Sequence, residues 1–477
     1  MSDLCGQPAT QLRRAIATGD VSPVELLESC IARIEELNPT VNAIVATCFE
    51  RARSEASAAE RAVRSGENIP PLHGLPVAIK DLVATEGMPT TYGSPLYADN
   101  VPNRDAGLVK RLRDAGAIVV GKTNTPEFGA GTNTSNRVYG ATRNPHALER
   151  TCGGSSGGAA AALACDMVPL AHGSDTGGSL RNPATWCGVV GFRPTPGLVP
   201  HEARNVNYSH FAVQGPMART VPDIALMLMG LAGNDPNDPL SGPVSTSAFE
   251  NLADADLSNL RVATSEDLGL APVDDEIRDV FRARIGSVSG AFAACEQRNP
   301  ELAGAREIFW ALRSVTFLAN HGERYREHGQ NLAPNVVANV EAALAMTPQD
   351  MAEAEHGWAR LYRAFQDFFK DIDLLIVPGN ATSAFRVEDG IPKVVGGRKM
   401  ENYMDASILR SALTLTGHPI VALPMGIDAL GMPFGVQIVG PRRGDAFLLS
   451  AAAALEKYIA TLPDLVPPRL NLEDLKS

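Results

Sequence analysis

Several things are scarce in this 477-residue sequence, and each scarcity closes off a class of function. There is no basic surplus: 42 Lys and Arg against 54 Asp and Glu leave a formal net charge of −12. Phosphate backbones and anionic lipid surfaces are held by basic faces, so neither a nucleic-acid nor a membrane partner is expected. The seven cysteines (Cys5, Cys30, Cys48, Cys152, Cys165, Cys187 and Cys295) are odd in number and show no CxxC or metal-ligand spacing. Reduced thiols in a cytoplasmic protein are expected, with no metal and no cofactor. Residues Met1 to Gly6 carry neither a basic n-region nor an apolar h-region, so no secretory signal is expected. Long apolar runs are also missing. The nearest approach, Val421 to Gly440, is interrupted by Asp428, two prolines and several glycines. It reads as two buried strands and a turn, not a membrane span. Internal repeats and a flexible interdomain linker are absent too.

What is present fits a large globular core: 44% hydrophobic and 20% charged residues. Ser22-Pro23-Val24-Glu25 has the form of a capping box with proline at the first helical position, and Leu27, Ile31, Ile34 and Leu37 follow at helical spacing. Residues 1–65 therefore read as a helical lead-in. Leu75 to Ile79 is a short strand ending at Lys80. A helix over 105–115 precedes a strand at Ile118 to Val120, and an alanine helix over 158–165 precedes a strand from Met167 to Ala171. Strands alternating with short helices imply an α/β fold: one large domain over 66–477, with a central mixed, twisted sheet covered by helices on both faces. Within it we expect a core over 71–225, a mainly helical and variable region over 226–370, and C-terminal strands and helices over 371–477 that complete the sheet. Residues 233–250, rich in Pro, Asn, Ser and Gly, read as a surface connection.

Two glycine loops carry the chemistry: Gly153-Gly154-Ser155-Ser156-Gly157-Gly158 and Gly173-Ser174-Asp175-Thr176-Gly177-Gly178-Ser179. Two serines and an upstream Lys80 are the parts for acyl transfer without a histidine. Glycine lets backbone amides approach a reacting atom closely. Two motif matches compete with this reading. Gly116 to Thr123 fits GxxxxGK[ST], but its inner residues are an apolar β-branched run, a strand where a phosphate loop is needed. Gly153 to Gly157 fits GxSxG, yet the polar Glu149-Arg150-Thr151-Cys152 before it does not look like the strand a nucleophile elbow requires. Cys152 is itself a candidate nucleophile beside the serine loop. An inert structural role for both loops is the other alternative.

These loops, with Pro183, Cys187-Gly-Val-Val-Gly-Phe-Arg-Pro194, Gly121-Lys-Thr-Asn-Thr-Pro-Glu-Phe-Gly129, Gln214-Gly-Pro-Met-Ala-Arg219 and Gly435-Val-Gln-Ile-Val-Gly440, resemble the amidase signature family over most of the chain. The resemblance implies an amidohydrolase with a Ser–cisSer–Lys triad of Ser179 (nucleophile), Ser155 (relay) and Lys80 (base), and a cis peptide at Gly154–Ser155. To act as base, Lys80 must lose about 3 pKa units, roughly 4 kcal/mol of burial and neighbouring dipoles. Amides of Thr176, Gly177, Gly178 and Ser179 would form the oxyanion hole, each donor being worth about 3–4 kcal/mol of barrier. Gly129 matches a position near the scissile group. Asp175 and Arg181 read as a buried pair supporting the loop, Ser156 and Ser174 as local hydrogen-bonders, and Lys122 as a structural anchor. The implied substrate is a small amide, anilide, acyl hydrazide or ester, its pockets falling in 220–400, and a homodimer is compatible with it. The alternative within the family is the glutamine-hydrolysing component of a tRNA-dependent (glutamyl/aspartyl-tRNA) amidotransferase, its A-type polypeptide. Outside it stands a non-enzymatic binding protein.

Overall fold

Alternation along the central strands sorts the apolar residues onto two faces, and this organises the molecule. In the computed structural model, which describes residues 4–467 and 469–476, eleven strands form one mixed sheet. They are β1 (Ile44–Thr47), β2 (Pro76–Lys80), β3 (Ile118–Thr123), β4 (Leu170–Asp175), β5 (Val190–Arg193), β6 (Val213–Ala218), β7 (Arg261–Thr264), β8 (Ala294–Gln297), β9 (Leu374–Pro378), β10 (Ile420–Ile427) and β11 (Pro433–Val439). Their order is β1-β3-β2-β4-β6-β5-β10-β11-β9-β7-β8. Strands β3, β2 and β4 run parallel, as do β9, β7 and β8, and every other pairing is antiparallel.

Val77, Ile79, Val119, Leu170 and Phe192 point to one core, while Ala78, Ile118, Val120, Ala171 and Ala422 point to the other. Successive strand residues face opposite sides, so both faces are buried and both need covering. Small side chains dominate the second face where the helix Gly157–Ala164 lies on it. A methyl at Gly158 would sit 2.3 Å from the Asn124 amide nitrogen, so glycine is what allows this approach.

The helices expected over 105–115 and 158–165 are found at Gly107–Asp114 and Gly157–Ala164. Three local readings need correction. Ser22 caps its helix through the Val24 N–H, but its hydroxyl donates to Glu60 and no reciprocal capping box forms. The strand expected from Met167 begins at Leu170 and runs through Asp175, so the first three residues of the second glycine loop, Gly173 to Asp175, are sheet. The polar stretch before Ser155 is a strand after all: Ala147–Thr151 pairs with Arg143–Asn144 in a two-stranded ribbon outside the main sheet. The lead-in contributes β1, and the helical middle region contributes β7 and β8. Residues 1–3 of the lead-in, with 468 and 477, lie outside the described residues.

Candidate active site

Strand β2 delivers Lys80 at its end, wholly buried between the two glycine loops. Its ammonium donates to Ser155 Oγ at 2.7 Å, Ser156 Oγ at 2.8 Å and Ser174 Oγ at 3.1 Å. No carboxylate lies within ion-pair distance among the described residues. Burial, offset in part by the more distant Asp175, lowers Lys80 from 10.5 to about 7. The Gly154–Ser155 peptide is cis. The Ser156 N–H donates to the Ser179 carbonyl at 3.2 Å, tying the two loops together one residue from Ser155.

Asp175, at the end of β4, braces the second loop. It accepts from Gly178 N at 2.9 Å, Leu180 N at 3.1 Å, Arg181 Nε at 3.0 Å and Arg193 at 3.1 Å. Burial alone would raise this carboxyl, but the two guanidiniums outweigh it and hold it well below the usual carboxylate range. Arg181 also reaches the Arg410 carbonyl, Gln437 at 2.7 Å and Thr414 at 3.0 Å, locking the loop to the C-terminal part of the sheet. The expected Asp175–Arg181 pair is thus one side of a larger knot that includes Arg193.

Ser179 opens onto a small cavity with Gly129, Gly177 and Gly178, closed on the far side by Arg313, Tyr403 and Arg410. One element of the expected oxyanion hole does not stand. The Gly178 N–H is taken by Asp175, because the loop turns tightly around that carboxylate. The amides of Thr176, Gly177 and Ser179 have no protein acceptor among the described residues, although Thr176 does not line the cavity. Gly129 has φ of +72°, and a methyl there would stand 3.3 Å from Ser155 Oγ. Any side chain would be strained and would crowd the serine.

The other candidates fall away from this centre. Lys122 is buried against Asp81 at 3.8 Å and donates to Thr85, Thr90 and the Val83 carbonyl, an anchor inside β3. In the match to a phosphate loop, everything from Ile118 to Thr123 is strand. Cys152 is buried, and desolvation pushes its thiol up to about 12, far from a reactive thiolate. No histidine among the described residues hydrogen-bonds Ser155 or Ser179, so the GxSxG match lacks the base of a Ser-His-Asp triad. No cluster of three or more His, Cys, Asp or Glu side chains stands ready for a metal among the described residues. No helix there is long and apolar enough to cross a membrane. Sequence reasoning missed Arg193, Asn182, Arg313, Tyr403 and Arg410. Arg193 lay within a recognised block, but the last three join the cavity from more than 120 residues away.

A family profile described as Amidase matches residues 25–449. An acylamidase of Rhodococcus erythropolis is 35% identical over 94% of each chain. The A-type polypeptide of the glutamyl-tRNA(Gln) amidotransferase of Chloroflexus aurantiacus is 31% identical over 96% of this chain and 97% of its own. Among solved structures, a bacterial aryl acylamidase of the amidase signature family superimposes with a TM-score of 0.88 at 28% identity, covering 94% of this chain and 96% of its own.

Proposed function

The chain belongs to the amidase signature family, and from that premise we propose that Ser179, Ser155 and Lys80 are the nucleophile, relay and base with which it hydrolyses amides. The reaction is cleavage of a carboxylic amide or related acyl C–N bond. One observation carries the residue assignment: a buried lysine, held near neutrality at about 7, lies 2.7 Å from a serine hydroxyl whose loop is bonded to that of Ser179.

Neutral Lys80 accepts the Ser155 proton while Ser155 Oγ accepts the proton of Ser179. Ser179 Oγ then bonds to the carbonyl carbon. The carbonyl oxygen becomes an oxyanion facing the Gly177 and Ser179 amides. As the C–N bond breaks, the relay runs backwards and the amine leaves with that proton. Water repeats the sequence on the acyl-serine, releasing the carboxylic acid and restoring Ser179. The knot at Asp175 holds the donors in place before charge develops.

Acylamidase and aryl acylamidase relatives support a stand-alone hydrolase acting on acyl amides or anilides. The near full-length likeness to the amidotransferase polypeptides favours a second reading, ammonia release from glutamine for a partner protein. Seven free cysteines, most of them buried, support a cytoplasmic setting. The test is a panel of amides, anilides, hydrazides and esters with wild type and Ser179→Ala. Turnover is expected to fall by at least about 10³-fold in the variant. Activity surviving in Ser179→Ala would remove the nucleophile assignment, and hydrolysis confined to glutamine would favour the second reading.

A further inference from the structure

The cavity beside Ser179 is short of negative charge. Arg313 and Arg410 line it and are only 4% and 2% exposed. Neither forms an ion pair among the described residues, unlike Arg181 and Arg193, which share Asp175. Arg410 meets neutral acceptors only: Asn380, the Ala406 carbonyl at 3.3 Å and Ser407 Oγ at 3.2 Å. Arg313 donates to Tyr403 Oη at 2.7 Å and lies over the rings of Phe317 and Tyr403. The Nε of each arginine has no hydrogen-bond partner among the described residues. Asn182, also lining the cavity, has both amide atoms unpartnered and is 1% exposed.

Arg181 and Arg193 thus share the buried Asp175 carboxylate, whereas Arg313 and Arg410 line the cavity with no carboxylate in ion-pair contact among the described residues. Buried charge is normally matched by a counter-ion, and an unmatched guanidinium cannot readily shed its proton. Burial and the neighbouring Arg181 lower Arg410 to about 9, which still leaves it charged at neutral pH. Arg410 also lies against the nucleophile's loop. A methyl at Gly178 would stand 2.7 Å from its Cδ, so the Gly178 hydrogen is what lets the guanidinium sit there. The oxyanion of the reaction is transient and cannot balance the resting site. Arg313 and Arg410 line the same small cavity as Ser179, so an anionic group held by them belongs to the same small substrate as the scissile carbonyl.

We propose that Arg313 and Arg410 form a carboxylate subsite and that the preferred substrates are small amides bearing a carboxylate a few bonds from the scissile carbonyl. The proposal rests on the amidase reading above and narrows it. Its test compares isosteric pairs, succinamate with succinamide and glutaramate with glutaramide, in wild type, Arg313→Gln and Arg410→Lys. The ratio of kcat/KM within a pair is independent of how much variant folds. Wild type is expected to favour the anionic member by about 30-fold or more, the scale of a charge-assisted hydrogen-bonded pair. That ratio should fall towards 1 in Arg313→Gln and drop in Arg410→Lys. Succinate or glutarate should also inhibit hydrolysis of any neutral amide the enzyme accepts. Equal or reversed preference, or no inhibition by either dicarboxylate, overturns the subsite and leaves the amidase reading standing. Failure of an activated p-nitrophenyl ester to acylate Ser179 would count against the amidase reading instead.

Discussion

Lys80 and Lys122 stand on neighbouring parallel strands, both buried completely, yet their surroundings give them opposite work. Ile79 is in register with Lys122 and Lys80 with Thr123. Strand alternation therefore sends Asp81 and Lys122 to one side of the sheet and Lys80 to the other. Lys122 meets a carboxylate at 3.8 Å, a carbonyl and two threonine hydroxyls; burial lowers it from 10.5 to about 8, with Asp81 opposing the shift. Lys80 meets three serine hydroxyls and no carboxylate, and falls to about 7. Desolvation acts on both. The paired carboxylate keeps Lys122 the more firmly protonated of the two at neutral pH, and its absence leaves Lys80 the readier to give up and regain a proton there.

The comparison breaks most visibly if Lys80 is removed. Lys80→Met should lower kcat by about 10³ to 10⁴, the range for loss of a positioned base. Wild-type kcat/KM should rise with pH through an ionisation near 7. Stability carries the same signature. The folded-state value is depressed below the unfolded 10.5, so the unfolded chain binds the extra proton between about pH 7 and 10.5. Stability contributed by this group is lowest below pH 7 and recovers as pH rises, by up to about 1.4 kcal/mol per pH unit. Denaturant titrations from pH 7 to 10 should show a steeper slope in wild type than in Lys80→Met, in which Lys122, lowered to about 8, still contributes. An unchanged slope would mean that Lys80 is not the depressed group.

Lys122→Met should leave the chemistry nearly intact and damage the fold. It strands Asp81 in the core, a change worth about 3–5 kcal/mol. The double variant Lys122→Met/Asp81→Asn should recover part of that loss. Activity per titrated Ser179 should stay within a few-fold of wild type, measured by burst titration on an activated ester. A loss comparable to that of Lys80→Met would erase the distinction drawn between the two lysines.

Much of this contrast is legible in the sequence alone. A lysine ending an apolar strand, and serines in glycine loops 24 residues apart, are local patterns. So is the β-branched run that disqualifies the phosphate-loop match. What escaped depends on partners distant along the chain. Arg410 reaches the site across more than 220 residues, and Arg313 and Tyr403 meet only because a helix and a C-terminal loop fold over the cavity. The Gly178 amide looks like a free donor in sequence, and only the closing of the loop on Asp175 consumes it. Strands β7 and β8 are four residues each, too short for alternation to register against the surrounding helices. Ala147–Thr151 is polar because it lies in a ribbon outside the main sheet, where polarity does not argue against a strand.

Ser156 sharpens the comparison at the smallest scale. Its hydroxyl accepts from Lys80 at 2.8 Å, almost the distance of Ser155, yet it also accepts the Ser174 N–H and donates to the Ser174 carbonyl, both at 3.2 Å. Those bonds commit its proton to the backbone, so it supports the lysine without passing a proton on. Removing one such neutral acceptor costs about 1 kcal/mol, or roughly five-fold in rate. It also withdraws a group that favours the charged ammonium, so the acidic limb of the pH profile should move to lower pH in Ser156→Ala. Ser155→Ala, by contrast, should lose activity on the scale of Lys80→Met, because it severs the relay. If Ser156→Ala proved as costly as Ser155→Ala, the proton path would run through Ser156, and its two bonds to Ser174 would have to break in each turnover.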